Sequence, residues 1–219
     1  MRRSSIFLFL FTVILSLCVS SGCTQDTGSP EQQQTGKPAD TAANSMVMDA
    51  GEVIASSVCK DCHDENLATP EWKSPILDGQ NADYLGNSIK AYQTGRRPVE
   101  IKTAFLSRLS ADDVVSVTKY YAGLTGTVWT GSKTIAISRQ EASGIDVAKL
   151  TNACVKCHGK LGMTTNSTTP RISGQNYRYL MQVMQEYQSG VRDQAVVHGM
   201  IRKWSTTEID AVAAYYAGS

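Results

Sequence analysis

Cys59-Lys60-Asp61-Cys62-His63 returns ninety-five residues later as Cys154-Val155-Lys156-Cys157-His158. A Cys-X-X-Cys-His segment is a means of fixing a c-type haem to a chain. Each cysteine can form a thioether to the porphyrin, and the histidine can bind the iron on its proximal side. Two such segments predict two covalent haems (haem c, iron) held by Cys59, Cys62, Cys154 and Cys157, with His63 and His158 on the metal. Two other chemistries use paired cysteines. Structural zinc sets its pairs about fifteen to twenty residues apart, far closer than the spacing here. A thioredoxin-like dithiol needs one motif in a βαβ setting, and no such pattern is present. Of six cysteines, only Cys18 and Cys23 lie outside the pentads, so no disulfide framework remains.

Met1 to Cys23 reads as a targeting segment. Arg2 and Arg3 supply a positive start, and Ile6 to Val19 is almost wholly apolar. That run is short for a bilayer span, which needs about twenty residues. Ser20-Ser21-Gly22-Cys23 resembles a bacterial lipoprotein cleavage site with Cys23 as the lipidated residue. Ser20 departs from the aliphatic residue usual there, so ordinary cleavage and an uncleaved anchor stay open. Residues 24–45 are rich in Gln, Thr, Ser, Ala, Gly and Pro, a composition that behaves as a flexible tether. The expectation is a membrane-anchored protein facing the periplasm.

The same shift of ninety-five residues, without a gap, pairs Pro75 with Pro170 and Gly79-Gln80-Asn81 with Gly174-Gln175-Asn176. Tyr84-Leu85 meets Tyr179-Leu180, Tyr92-Gln93 meets Tyr187-Gln188, and Arg97 meets Arg192. Tyr120-Tyr121-Ala122-Gly123 matches Tyr215-Tyr216-Ala217-Gly218. So long a repeat is a duplicated unit, and it divides the chain into domains at 46–124 and 142–219 with a connection at 125–141, where Trp129 could pack between the halves. Each copy is small for a self-sufficient apolar core, and a buried haem would add the missing apolar mass.

The local signals are helical. Ser110 to Asp113 and Ser205 to Glu208 resemble capping boxes that open the last helix of each copy. Val114, Val117 and Tyr121, like Ile209, Val212 and Tyr216, recur at helical spacing as one buried stripe. Gly123 and Gly218 occupy the place of a C′ glycine. A second helix is predicted from near Asn81 to Gly95, with its twin carrying Leu180, Met184 and Tyr187. Short helices should precede the pentads, ending near Val58 and Ala153. No strand pattern is evident, so the expected class is all-α.

Each half resembles a class I cytochrome c, and the tandem resembles the diheme cytochrome c4 family over about residues 46–219. The specific marks are the pentad, the proline twelve residues after its histidine, Gly-Gln-Asn-X-X-Tyr-Leu, and the tyrosine-rich last helix. The resemblance implies that the carbonyls of Pro75 and Pro170 accept the ring N–H of His63 and His158, a contact that orients a metal ligand and tunes it. It also implies an axial methionine five residues after the arginine of Gly-X-Arg. Those positions hold Lys102 and Val197. In the second half His198 and Met200 stand nearby: Met200 would give His/Met ligation and a raised potential, His198 bis-histidine and a lower one. Met200 is favoured slightly, although its repeat partner is Phe105, a packing type. In the first half the candidates are Lys102, which must lose its proton to bind iron, a methionine folding back from Met46 or Met48, or an open position.

The near-neutral chain conceals a polarity. Residues 47–124 hold eight basic and eleven acidic side chains, a formal −3; residues 142–219 hold eight and five, a formal +3. Such a dipole can orient a molecule against redox partners. No basic run with interleaved aromatics suggests nucleic acid. The resemblance implies an electron carrier of the bacterial cell envelope and not an enzyme. Its partners would be redox proteins such as a quinol-oxidising complex and a terminal oxidase or reductase. The alternative is a haem enzyme, a haem subunit of a dehydrogenase or oxidase complex, or a gas-ligand sensor using the first haem. Related thiosulfate dehydrogenases use a cysteine as distal ligand, and apart from Cys23 no mature cysteine lies outside the pentads. A redox-inactive structural subunit is a third reading.

Overall fold

The computed structural model describes residues 38–64, 73–97, 99–125, 144–192 and 199–219, with side chains from residue 43. Cys23, Trp129, Val197 and His198 lie outside the described residues, as does nearly all of the 125–141 connection. Among the described residues there is no strand. The helices are α1 (Pro38–Ile54), α2 (Lys60–His63), α3 (Ala82–Gln93), α4 (Glu100–Leu106), α5 (Ala111–Gly123), α6 (Val147–His158), α7 (Tyr177–Ser189) and α8 (Thr206–Ala217). The chain is all-α, and the second half repeats the scheme of the first.

Both predicted capping boxes are formed. The Ser110 hydroxyl accepts the backbone N–H of Asp113, whose carboxylate accepts the Ser110 N–H in return. Ser205 and Glu208 make the same exchange at α8. From these starts the predicted stripes run inward: Val117 and Tyr121 are buried in α5, and Ile209, Val212 and Tyr216 in α8. The two cores are built alike. Leu85 of α3 packs with Val117 and Tyr121, while Leu180 and Met184 of α7 pack with Ile209, Val212 and Tyr216.

Three local expectations are corrected. The pentads are themselves helical: α6 runs through to His158, and a wide turn over Ala55–Cys59 carries α1 into α2 as far as His63. No pentad residue is a strong helix breaker, so the helix ends only where Asp64 turns extended and where Gly159 takes φ 73°. Helix α1 begins at Pro38, inside the stretch expected to be tether, where proline suits a first helical turn and alanines favour continuation. Finally, neither terminal glycine is left-handed. Gly123 is the last residue of α5 and Gly218 caps α8 at φ −92°. What Gly123 supplies is room, because a Cβ there would lie 3.0 Å from the Met48 methyl of α1.

The halves are joined by an exchange of two glutamines. Gln175 accepts the N–H of Ile76 on Oε1 at 2.8 Å and donates from Nε2 to the Ile76 carbonyl at 2.9 Å. Gln80, its repeat partner, accepts the N–H of Arg171 at 2.8 Å and donates to the Arg171 carbonyl at 2.8 Å. Ile76 and Arg171 are themselves partners under the ninety-five-residue shift, so the contact is isologous, like that of a twofold dimer. Both glutamines are buried, where an amide left without its partner costs about 1–3 kcal/mol. Around this pair the symmetry breaks. Asn176 caps α7 by accepting the N–H of Tyr179, whereas Asn81 makes no cap bond at α3; its amide donates to the carbonyls of Asn166 and Thr169. The N–H of Tyr84 also crosses, to the carbonyl of Ser167 at 3.0 Å.

Candidate haem sites

On the proximal side the halves match. Nδ1 of His63 lies 2.8 Å from the Pro75 carbonyl, and Nδ1 of His158 lies 2.8 Å from the Pro170 carbonyl. A carbonyl only accepts, so each Nδ1 carries the proton and each Nε2 keeps its lone pair. That is the tautomer a metal ligand needs. Burial depresses both imidazoles below the ordinary histidine range, so both stay neutral at pH 7. His63 falls to about 4, the Lys102 charge adding to the effect of burial.

The four pentad cysteines are thiols without a disulfide. Burial raises Cys59 and Cys154 above the usual cysteine range, the reverse of the depressed pKa that marks a catalytic dithiol. Among the described residues, there is no cluster of three or more His, Cys, Asp or Glu that could hold a metal ion by itself. The residues fit a covalently held porphyrin: two thiols and an oriented imidazole on one helical segment, twice over.

On the distal side the halves part. Lys102, on α4, places Nζ 2.7 Å from Nε2 of His63. Nothing in sequence distance brings them together; α4 does so by packing on α3. Gln93 of α3 donates to the carbonyls of Leu106 and Leu109 that close α4, and the hydroxyl of Thr103 donates to the Tyr92 carbonyl. Lys102 is half-buried, and burial lowers its pKa from the ordinary lysine value. Met48 packs on Gly123 and Met46 is exposed on α1.

The second half repeats the clamp with Gln188, which donates to the carbonyls of Ile201 and Trp204. These are the repeat partners of Leu106 and Leu109, so the two distal stretches hold the same register. Met200 sits opposite Phe105, half-buried against the second core.

Between the sites lie two arginines that sequence reasoning noticed only as repeat partners. The Arg97 guanidinium is 5.9 Å from the Tyr84 ring centre and 5.6 Å from that of Tyr92. Arg192 lies 5.4 Å from that of Tyr187 and pairs with Glu186 at 3.0 Å. The repeat partner of Glu186 is Ala91, so the second arginine has a carboxylate where the first has a methyl group.

These features define a class: a tandem of c-type cytochrome domains, each presenting a haem-attachment pentad and an oriented proximal imidazole. No protein-family model matches the chain. It is 27% identical to cytochrome c4 of Pseudomonas aeruginosa over 176 residues, covering 77% of this chain and 87% of that protein. It is also 27% identical over 176 residues to a thiosulfate dehydrogenase electron acceptor of Stutzerimonas stutzeri, covering 74% and 79%. The fold matches reduced recombinant cytochrome c4 from Pseudomonas stutzeri with a TM-score of 0.62 at 24% identity, over 78% of this chain and 97% of that one. A thiosulfate dehydrogenase from Marichromatium purpuratum matches with the same score, but the chain spans only 40% of it. Over most of its length the chain is thus similar to diheme cytochromes of the c4 type; it is a c-type cytochrome carrying two covalent haems and serving electron transfer.

Proposed function

We propose that this cytochrome transfers single electrons through two unlike haems, the first ligated by His63 and Lys102 and the second by His158 and a ligand from the 198–200 segment. The observation that carries the reading is the convergence of Lys102 Nζ and His63 Nε2. Two nitrogens, one an oriented imidazole and the other a half-buried amine, face each other in the first half. Cys59 and Cys62, with Cys154 and Cys157, attach the porphyrins in domains 46–124 and 142–219. The haem supplies reversible one-electron chemistry. The chain's own residues orient the imidazoles through Pro75 and Pro170, exclude water, and choose the distal atom. For the second half, the ninety-five-residue shift pairs Val197 with Lys102 in the sequence, so His198 and Met200 are the candidate donors.

The surroundings of the carrier follow from the sequence. Its targeting segment supports a periplasmic location with a lipid anchor at Cys23, and no helix among the described residues is long and apolar enough to cross a membrane. Redox proteins are its partners; a quinol-oxidising complex as donor and a terminal oxidase or reductase as acceptor suit an envelope carrier. The likeness to a thiosulfate dehydrogenase electron acceptor favours a second setting, in which the protein accepts electrons from a dehydrogenase.

Absorption, magnetic circular dichroism and CO titration of the purified diheme protein test the ligand reading. The expected result is two low-spin haems, neither binding CO, one with a nitrogen–nitrogen signature. A 695 nm-type band would assign Met200 to the second haem, and its absence would assign His198. A high-spin first haem that binds CO would overturn the Lys102 assignment and with it the carrier-only role.

A further inference from the structure

The glutamine exchange meets the proximal histidines at one peptide group on each side. The carbonyl of Pro75 accepts from His63 Nδ1, and the N–H of that same peptide, on Ile76, donates to Gln175 of the other half. Across the pseudo-twofold axis, the Pro170 carbonyl accepts from His158, and the N–H of that peptide, on Arg171, donates to Gln80. Each proximal imidazole is therefore one peptide away from a side chain of the opposite domain. The imidazole, the peptide and the amide form a continuous hydrogen-bonded chain, 2.8 Å at both links, in both directions.

We infer that Gln175 is a positioning residue for the first haem and Gln80 for the second, so that each domain sets the proximal ligand strength of the other. Hydrogen bonds in a chain polarise one another. When Gln175 accepts the Ile76 N–H, electron density moves onto the Pro75 oxygen, which becomes a stronger acceptor for His63. The imidazole then holds its Nδ1 proton more loosely, donates more strongly from Nε2, and favours the oxidised metal. Outer partners of a metal-bound histidine act in this way.

Glutamine suits the task better than its relatives. Oε1 takes two backbone N–H groups, from Ile76 and Asn176 for Gln175 and from Arg171 and Asn81 for Gln80, while Nε2 donates to a carbonyl. A carboxylate could not make the last bond, and an apolar residue could make none. Both side chains are buried, so water is a poor substitute.

The inference rests on His63 and His158 as proximal ligands, and the experiment separates the two. The chain has three histidines, so histidine-selective ¹⁵N labelling of the reduced diheme protein gives a sparse spectrum. In the unmodified protein, two histidine rings whose Nδ1–H contacts Pro75 and Pro170 and whose Nε2 resonance is displaced by the haem iron establish the ligand reading; undisplaced Nε2 resonances would remove it before any variant is made. Gln175→Met should then move the His63 ring N–H and leave that of His158 in place, and Gln80→Met should do the reverse. In a potentiometric titration the opposite-domain haem should become easier to reduce. Cooperative strengthening of roughly 10–30% per bond suggests about a threefold change in its reduction equilibrium, which is about 28 mV at the one-electron scale of about 59 mV per tenfold.

Gln175→Glu guards against a variant that merely separates the halves. It keeps and strengthens the acceptor at Ile76, so the first haem should become harder to reduce, opposite in sign to the methionine variant. Opposite shifts at the opposite-domain haem support the inference. A shift of the same sign in both variants, a shift confined to the variant's own domain, or equal shifts of both haems would overturn it.

Discussion

Set side by side, the two halves agree in how each pentad histidine is oriented and in how the segment after Gly-X-Arg is clamped, and differ in the residue that segment offers. Both histidines meet their proline carbonyls at 2.8 Å, and both glutamine clamps close the distal segment on the preceding helix. Yet the shared register puts lysine in one half and valine in the other at the point where the family resemblance calls for methionine. Duplication has kept the frame and let the residue at this position diverge. In a two-haem carrier that difference is useful, because the axial ligand is a principal control on potential. On the ligation proposed above, two copies of one fold would hold an electron at two energies.

The sharpest way to break this comparison is to remove the lysine. Lys102→Ala should convert the first haem to a high-spin, CO-binding form while the second keeps its spectrum, a complete loss of ligation in one half. An unchanged spectrum would reject Lys102, and a change at both haems would show that the halves do not bind their distal ligands independently.

Acid offers a gentler probe of the same asymmetry. Burial lowers the Lys102 pKa from its ordinary 10.5, which extends the neutral, ligating amine to lower pH. Protonation favours the released form, so falling pH should detach Lys102, and rising pH should restore it. The second half has valine at this position and should show no matching transition. Stepwise acidification followed in the Soret region should therefore resolve one reversible transition in the intact protein and none of that kind in Lys102→Ala. A transition that survives the substitution would belong to some other group.

What the sequence disclosed and what it withheld divide along the same physical line. Pentads, Pro75 and Pro170, and the Ser110 and Ser205 caps are set by spacing within a dozen residues, so they could be read directly. The second half's match to the first then gave the domain plan. The roles of Gln80 and Gln175 could not be read that way. Their motif stood out, but their partners lie ninety-one and ninety-nine residues away, and only the folded contact between the halves reveals them. The Lys102–His63 contact was half legible, as a position without its direction. Helix α1 was hidden by composition: alanine, serine and aspartate after Pro38 suit a tether and a helix equally well until something packs against them. Gly123 was misread because a glycine at a helix end suggests a left-handed turn, whereas here it makes space for Met48.

The smallest difference between the halves lies where their first helices start. Gly51 sits inside α1 against α5, and a Cβ there would meet the Ser116 carbonyl oxygen at 2.3 Å and the Tyr120 Cβ at 2.6 Å. Its repeat partner is Asp146, which stands one residue before α6 and caps it by accepting the N–H of Lys149. One position thus serves a close helix crossing in the first half and a helix start in the second. The obstruction at Gly51 is largely backbone, which cannot rotate away, so Gly51→Ala should push α1 off α5 at a cost of about 1–3 kcal/mol. Asp146→Ala removes a single cap and should cost about 1 kcal/mol. Urea unfolding of the two variants, followed at each haem, would order them. If Gly51→Ala proved no more harmful than Asp146→Ala, α1 would not be pressed against α5 and its extension beyond the repeat would be an appendage. If it destabilises the first half alone, α1 is a structural part of that half, and the two copies differ in how they are closed as well as in what they offer the iron.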